Sequence, residues 1–153
     1  MSRLVLIALA MLVIACSTGK TDGAESADPA AARDELAVAF GEQLEQLAVW
    51  CDGRGLAEEA GRTRAWAAPL DPRRLYIVDL PAAPRRPPAG EEASEDARKW
   101  QDQFFKARMA QAAALFDLAR QAARGKRASL AVELLLEAAR QDPDHEGARR
   151  VLG

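Results

Sequence analysis

Several residue types are scarce in this sequence of 153 residues, which has no Asn, one His, two Cys and three Ile. One His and two Cys are too few for a zinc cluster or a disulfide framework. The scarcity of β-branched residues beside 34 Ala, the residue that most favours helix, predicts an all-α fold. A net charge of −2 is not the balance of a nucleic-acid binder, which requires a basic footprint, so we expect no nucleic acid partner. We also expect no cofactor and no metal.

The first fifteen residues have the organisation of a signal peptide. Arg3 gives a positive start, and residues 4–15 form an unbroken apolar run. As a helix this run spans about 18 Å, which is short of the ~30 Å hydrocarbon core of a membrane. Its length is therefore typical of the apolar region of a signal peptide rather than of a membrane span.

The apolar run ends in Val13-Ile14-Ala15-Cys16, which resembles the lipobox of bacterial lipoproteins. In that family the Cys thiol is joined to diacylglycerol, and a peptidase then cuts the chain before the Cys. The resemblance implies a mature chain that begins at Cys16 and is held on a membrane by acyl chains. Ser17 stands where some lipoproteins of the inner membrane have Asp, which favours the outer membrane of a bacterial envelope, facing the periplasm. The small, polar residues 16–33 predict a flexible tether.

The rest of the chain repeats itself at an offset of 71 residues. The matching positions are Leu44 with Leu115, Leu47 with Leu118, Ala48 with Ala119, Ala60 with Ala131, Ala67 with Ala138, and Asp71-Pro72 with Asp142-Pro143. This pattern resembles the tetratricopeptide repeat, a helix–turn–helix unit of 34 residues. The two copies begin at Gly41 and Ala112, and a third begins at Glu146. The resemblance implies an all-α fold built as a short α-solenoid.

These signals divide the chain after the tether into three parts. The first helical repeat occupies 34–74, a Pro-rich loop occupies 75–93, and 94–153 holds a long helix, the second repeat and the start of a third. The long helix is predicted because no Pro or Gly occurs from about Glu92 to Arg124. Its apolar stripe is expected to cover the first helical pair and consists of Trp100, Phe104, Phe105 and Met109.

The tetratricopeptide resemblance implies a non-catalytic scaffold that binds a protein or peptide partner. In that family the first helix of each pair lines a concave groove that receives the partner. In this register, the residues of the first copy that face the groove are Glu42, Glu45, Val49 and Asp52. Those of the second copy are Phe116, Arg120 and Arg124. The two sets have opposite charge, which favours a partner of mixed charge.

The sequence offers no catalytic constellation. His145 is the only His, and its place between two predicted helices makes a turn residue the better interpretation. Cys51 is the one thiol left after lipidation of Cys16. Its repeat position faces the core, which predicts a buried and inert thiol, and the alternative is a disulfide to another chain in an oxidising periplasm. We therefore predict that the chain is not an enzyme.

Two other functions stay open at this point. The chain is a targeting or assembly segment of a larger or multi-chain envelope enzyme if it continues past Gly153. It is a dimeric structural spacer if it self-associates through the apolar stripe from Trp100 to Met109.

Overall fold

The computed structural model describes residues 28–68 and 94–153, which form five α-helices and no strand. They are α1 (Pro29–Asp52), α2 (Ala57–Ala67), α3 (Glu95–Arg124), α4 (Ala128–Gln141) and α5 (Glu146–Leu152). The predicted all-α class is confirmed for this part of the chain. The predicted signal peptide at 1–15, the predicted lipidation site Cys16 and the predicted Pro-rich loop at 75–93 lie outside the described residues. Among the described helices, none is long and apolar enough to cross a membrane.

Helix α1 begins earlier than the predicted tether allows. The carboxylate of Asp28 accepts a hydrogen bond from the backbone N–H of Ala30 at 3.2 Å, and Pro29 occupies the first helical turn. Both features favour the start of a helix, because Asp caps unpaired N–H groups and Pro has none to leave unpaired. Residues 29–33, predicted as tether, are therefore helical, and this is a correction.

The two helical pairs, α1–α2 and α3–α4, close with the same turn. The N–H of Leu56 donates to the carbonyl of Cys51 at 3.0 Å, and the N–H of Arg127 donates to that of Ala122 at 2.9 Å. Gly55 and Lys126 occupy equivalent positions with φ of 72° and 60°. A positive φ is energetically costly for Lys, so the geometry of the turn, rather than the preference of the residue, sets the backbone conformation at Lys126. The offset of 71 residues thus relates two turns of like geometry.

The same offset relates the buried faces of the two pairs. Small Ala residues at the crossings let the paired helices approach closely, and Leu44 and Leu134 are fully buried. The equivalent buried positions are Leu44 and Leu115, Leu47 and Leu118, Ala48 and Ala119, Cys51 and Ala122, Ala60 and Ala131, and Thr63 and Leu134. Each pair therefore has its own apolar interface.

The two pairs do not stack in one direction, because α1 and α3 run antiparallel. Phe40 and Leu44 of α1 pack with Ala107 of α3, whereas Arg54, just beyond the end of α1, lies 3.1 Å from Asp96 at the start of α3. Successive units of a solenoid are related by a small rotation, so their equivalent helices run in the same direction. The expected solenoid stacking is therefore not the arrangement that these contacts define.

An approximate two-fold axis relates the pairs instead. The first half of α3 lies beside α2, where Phe104 contacts Trp66 edge-on at 6.0 Å. The first half of α1 lies beside α4, where Arg33 forms an ion pair with Glu137. Residues 33 and 104 are separated by the offset of 71, as are residues 66 and 137, so one contact is the two-fold counterpart of the other. Each long helix therefore contacts both helices of the other pair, in addition to its own partner helix.

The long helix α3 uses its apolar stripe within the chain. Trp100 donates a hydrogen bond from Nε1 to Oγ1 of Thr63 at 2.9 Å and stacks on Phe104 at 5.4 Å. Both side chains thus cover the α1–α2 pair, as predicted. Met109 is the exposed member of the stripe. A dimer through this stripe would compete with these internal contacts.

Helix α5 packs on α3 through a position that requires glycine. A Cβ added at Gly147 would lie 2.5 Å from Cζ of Phe116, which is inside van der Waals contact. The imidazole of His145 lies 4.9 Å from the same ring, and its Nδ1 accepts a hydrogen bond from the N–H of Ala148 at 3.2 Å. His145 thereby caps the start of α5, which agrees with its interpretation as a turn residue.

We expect Gly147→Ala to lower the free energy of unfolding by about 1–3 kcal/mol, because the added methyl group overpacks the ring of Phe116. Gly61→Ala is the matched control, since a Cβ at Gly61 meets nothing within 4 Å. The control is expected to raise the free energy of unfolding by about 0.5–1 kcal/mol, because Ala favours helix over Gly. Urea unfolding followed by circular dichroism measures both. Equal effects of the two substitutions would contradict the tight packing at Gly147.

Candidate protein-docking surface

The four groove residues predicted for the first copy lie on one exposed face of α1. The same face extends back by two more positions, because α1 begins at Pro29. At alternating spacings of three and four residues, this face forms a surface that we call the acidic stripe: Glu35, Val38, Glu42, Glu45, Val49 and Asp52. Val38 and Val49 are 63% and 57% exposed. Glu35 and Val38 were missed because they precede the repeat register, although their spacing continues it.

The acidic stripe contains two kinds of carboxylate. Glu45 and Asp52 lie 3.1 Å and 2.7 Å from Nη2 of Arg64 on α2. Hydrogen bonds to Asp52 and then Glu45 raise the pKa of the Arg64 guanidinium. Glu35 and Glu42, by contrast, have no ion-pair partner among residues 28–68 and 94–153. The free carboxylates are therefore concentrated in the first half of the stripe.

Arg64 also explains a departure from the tetratricopeptide pattern, which has a large apolar residue at this position. Its equivalent in the second pair, Leu135, is buried. Arg64 instead turns to the surface and holds Glu45 and Asp52 at the edge of α2. These two groove candidates therefore face their own helical pair as well as solvent.

The second predicted set is only partly available. Phe116 is half-buried, because its ring packs against Gly147 and His145 of the next helical segment. Arg120 is exposed and lies 3.5 Å from Asp117. Arg124 is exposed and forms no ion pair with any described residue. Two basic side chains of this set therefore stay on the surface.

The structure does not bring the two sets together. Because α1 and α3 are antiparallel, their second halves extend in opposite directions from the crossing near Phe40 and Gln111. Val49 and Arg120 each lie nine residues beyond it, which at about 1.5 Å per residue separates them by roughly 27 Å. The predicted single groove of mixed charge is replaced by an acidic surface and a basic surface at opposite ends.

A cleft of about 430 Å³ lies where α1, α2, α3 and α4 meet. Trp66 forms one wall and donates a hydrogen bond to Oε1 of Gln141 at 2.8 Å. The guanidinium carbons of Arg108 and Arg140 lie 4.0 Å and 4.8 Å from the centre of its ring. These contacts join three helices, and the rim includes Ala68, the last residue described before the gap. We interpret the cleft as a packing junction.

Burial changes the acidity of Arg108 at this junction. Its pKa is lowered because burial disfavours the charged guanidinium, and the charge of Asp142 partly opposes the effect. The N–H group of Arg108 at Nη2 donates to the carbonyl of Arg140 at 3.1 Å. Arg108 therefore stabilises the packing of α3 against α4 through a hydrogen bond and the face of Trp66.

Cys51 is fully buried between the two helices of the first pair. Burial, together with the charges of Glu59 and Asp52, raises the pKa of its thiol. Since the thiolate is the nucleophile and oxidisable form, both effects make Cys51 unreactive. The buried location that the repeat register predicts is confirmed, and a disulfide to another chain would require the pair to open.

Within residues 28–68 and 94–153, no group of three or more His, Cys, Asp or Glu is placed to hold a metal ion. The chain was compared with protein-family models, curated proteins and solved structures, and none of the three comparisons gave a match. Function is therefore inferred from the geometry of the described residues and from the sequence.

In the folded protein, we expect Cys51 to react with a thiol reagent at least about a thousandfold more slowly than in urea, because access requires the domain to unfold. An exposed cysteine introduced by Glu58→Cys serves as the reactive control, and Cys51→Ala defines the background. Rates of reaction with a chromogenic disulfide measure the difference. Rapid reaction of Cys51 in the folded protein would contradict its burial.

Proposed function

We propose that this chain is a lipid-anchored envelope protein whose helical domain binds a partner protein through the acidic stripe and catalyses no reaction. The observation that carries the proposal is the exposure of Val38 and Val49 within a row of carboxylates on one helix face. A helix face on which apolar side chains alternate with charges of one sign is complementary to an amphipathic helix of opposite charge.

The spacing and charge of the acidic stripe indicate which kind of partner would fit it. Val38 and Val49 are eleven residues apart, or about 16 Å along three helical turns. A helix laid along α1 would meet both valines, and Lys or Arg side chains on its flanks would meet Glu35 and Glu42. The partner that fits is therefore a basic amphipathic helix.

The tetratricopeptide resemblance supports a role as a scaffold but changes where the partner binds. Each pair is a helix–turn–helix unit that packs with Ala at its crossings, as the resemblance implies. The concave groove of that family arises from parallel stacking of such units. With α1 and α3 antiparallel, the contact surface is the outer face of α1 instead.

The membrane anchor in this proposal rests on the Val13–Cys16 lipobox and on the tether that follows it. Two or three acyl chains hold a small domain firmly on a membrane, since each buried CH₂ contributes about 0.8 kcal/mol. Ser17 favours the outer membrane, with the helical domain facing the periplasm. Partners of the acidic stripe would then be envelope proteins.

Intact mass spectrometry tests the anchor. We expect the protein extracted from bacterial membranes to begin at Cys16 and to carry the mass of a diacylglyceryl group. The Cys16→Ser variant, which lacks the thiol, is the control and should keep residues 1–15 without added mass. An uncut and unmodified wild-type chain would reject the lipoprotein assignment.

Site-specific photocrosslinking in cells tests the docking surface. With a photoreactive residue at position 38 or 49, we expect a discrete adduct that disappears when Glu35→Lys and Glu42→Lys are added, because they reverse the charges that flank the valines. A photoreactive residue at Val132, which is equally exposed on α4, should give no such adduct.

The charge control is the pair Glu58→Lys and Glu146→Lys, which makes the same change in net charge away from the stripe. The adduct should survive it. Adducts of equal yield from position 132, or adducts unaffected by reversal of Glu35 and Glu42, would show that the stripe is not the contact surface.

A further inference from the structure

The turns that close the two helical pairs are alike in backbone and opposite in charge. Residues 52–59 carry one Arg and three carboxylates, whereas the equivalent residues 123–130 carry two Arg, one Lys and no carboxylate. Since the hydrogen bonds of the two turns match, the difference in charge is not required by the turn itself. The second turn is therefore a basic surface whose charge its backbone geometry does not require.

This basic surface, which we call the basic end, consists of four exposed residues at the junction of α3 and α4: Arg120, Arg124, Lys126 and Arg127. Arg120 is paired with Asp117, and Arg127 with Asp28. Arg124 and Lys126 form no ion pair with the described residues. The basic end thus keeps two uncompensated cations in addition to two paired ones.

The ion pair between Arg127 and Asp28 places the start of the folded domain beside the basic end. The backbone hydrogen bond from Ala30 and the pairing with Arg127 lower the pKa of Asp28, so its carboxylate is charged at neutral pH. Asp28 is only twelve positions after Cys16 in the sequence. Even a fully extended chain of that length spans no more than about 43 Å.

We propose that the basic end docks on the anionic phospholipid headgroups of the membrane that holds the acyl chains of Cys16. This inference rests on the lipid anchor of the proposed function. A basic surface near an anionic bilayer is attracted within a Debye length of about 8–10 Å, and the connection to Cys16 limits the distance of the basic end from the bilayer to a few times that length. An acyl chain with a basic patch is a known combination for stable attachment.

Docking at the basic end also orients the acidic stripe. Helix α1 leads away from Asp28, and Val49 lies twenty residues beyond Pro29, or about 30 Å along the helix axis. Carboxylates are repelled by anionic headgroups, so Glu42 and Asp52, which lie farther along α1 than Glu35, favour the same orientation. The acidic stripe would then run along α1 away from the bilayer, with Val49 and Asp52 at its distant end.

Fluorescence quenching in vesicles tests this orientation with the full, lipidated chain. A fluorophore attached to a cysteine at Ala123, beside Arg124, is compared with one at Glu58, at the opposite end. Vesicles contain phosphatidylcholine alone or with phosphatidylglycerol, together with a lipid that carries a quencher on its headgroup. We expect stronger quenching at position 123 than at position 58, an increase with phosphatidylglycerol, and loss of that increase in high salt.

Two triple variants complete the experiment. The first variant should lose the quenching that depends on phosphatidylglycerol, and it combines Arg120→Gln, Arg124→Gln and Lys126→Gln. The second variant removes the same number of charges at the opposite end and should retain that quenching; it combines Arg54→Gln, Arg62→Gln and Arg98→Gln. Equal quenching in neutral and anionic vesicles, or equal loss in both variants, would overturn the proposal.

Flotation of the wild-type protein separates failure of the basic end from failure of the anchor. Flotation with phosphatidylcholine vesicles, together with the mass of the diacylglyceryl group, reports the anchor alone. If the protein carries no lipid, flotation with phosphatidylglycerol vesicles still tests whether the basic end binds anionic headgroups. Binding that is lost in high salt and in the first triple variant supports docking of the basic end, and absence of binding rejects it.

Discussion

The rest of the structure depends on the antiparallel crossing of α1 and α3, where Phe40 and Leu44 pack against Ala107. A small residue at this crossing lets two long helices approach closely. The first half of each long helix then packs against the second helix of the other pair: the first half of α1 lies near α4, and the first half of α3 covers α2. The domain is thereby one packed unit, although each pair closes with its own turn.

The same crossing decides where charge appears on the surface. Because an approximate two-fold axis relates the pairs, equivalent sequence positions lie at opposite ends of the molecule. The first copy carries acids along α1, and the second carries bases around its turn. The proposed partner surface and the proposed membrane surface are thus two outcomes of one duplication-like pattern. The basic end lies beside the start of α1, and the acidic stripe runs along α1 away from it, so the two do not share one groove.

Local pattern predicted much of the fold. Spacings of three and four residues indicated the buried faces around Leu44 and Leu115, and the absence of Pro and Gly indicated the long helix α3. Local pattern does not reach the contacts between segments that are distant in sequence. The ring of Phe116 packs against α5 at Gly147, and Arg64 binds Glu45 and Asp52, and neither contact can be read from the spacing of residues within one helix.

The sequence by itself determined the helical class, the two equivalent pairs and the acidic row on α1, since each depends on residues within a few helical turns of one another. It also carries Val13–Cys16, whose resemblance to a lipobox is read from the linear sequence alone. Only the tertiary structure decided that the pairs meet antiparallel, because periodicity shows which face of a helix is apolar but not which distant face it meets. The separation of the acidic stripe from the basic end follows from that direction of packing.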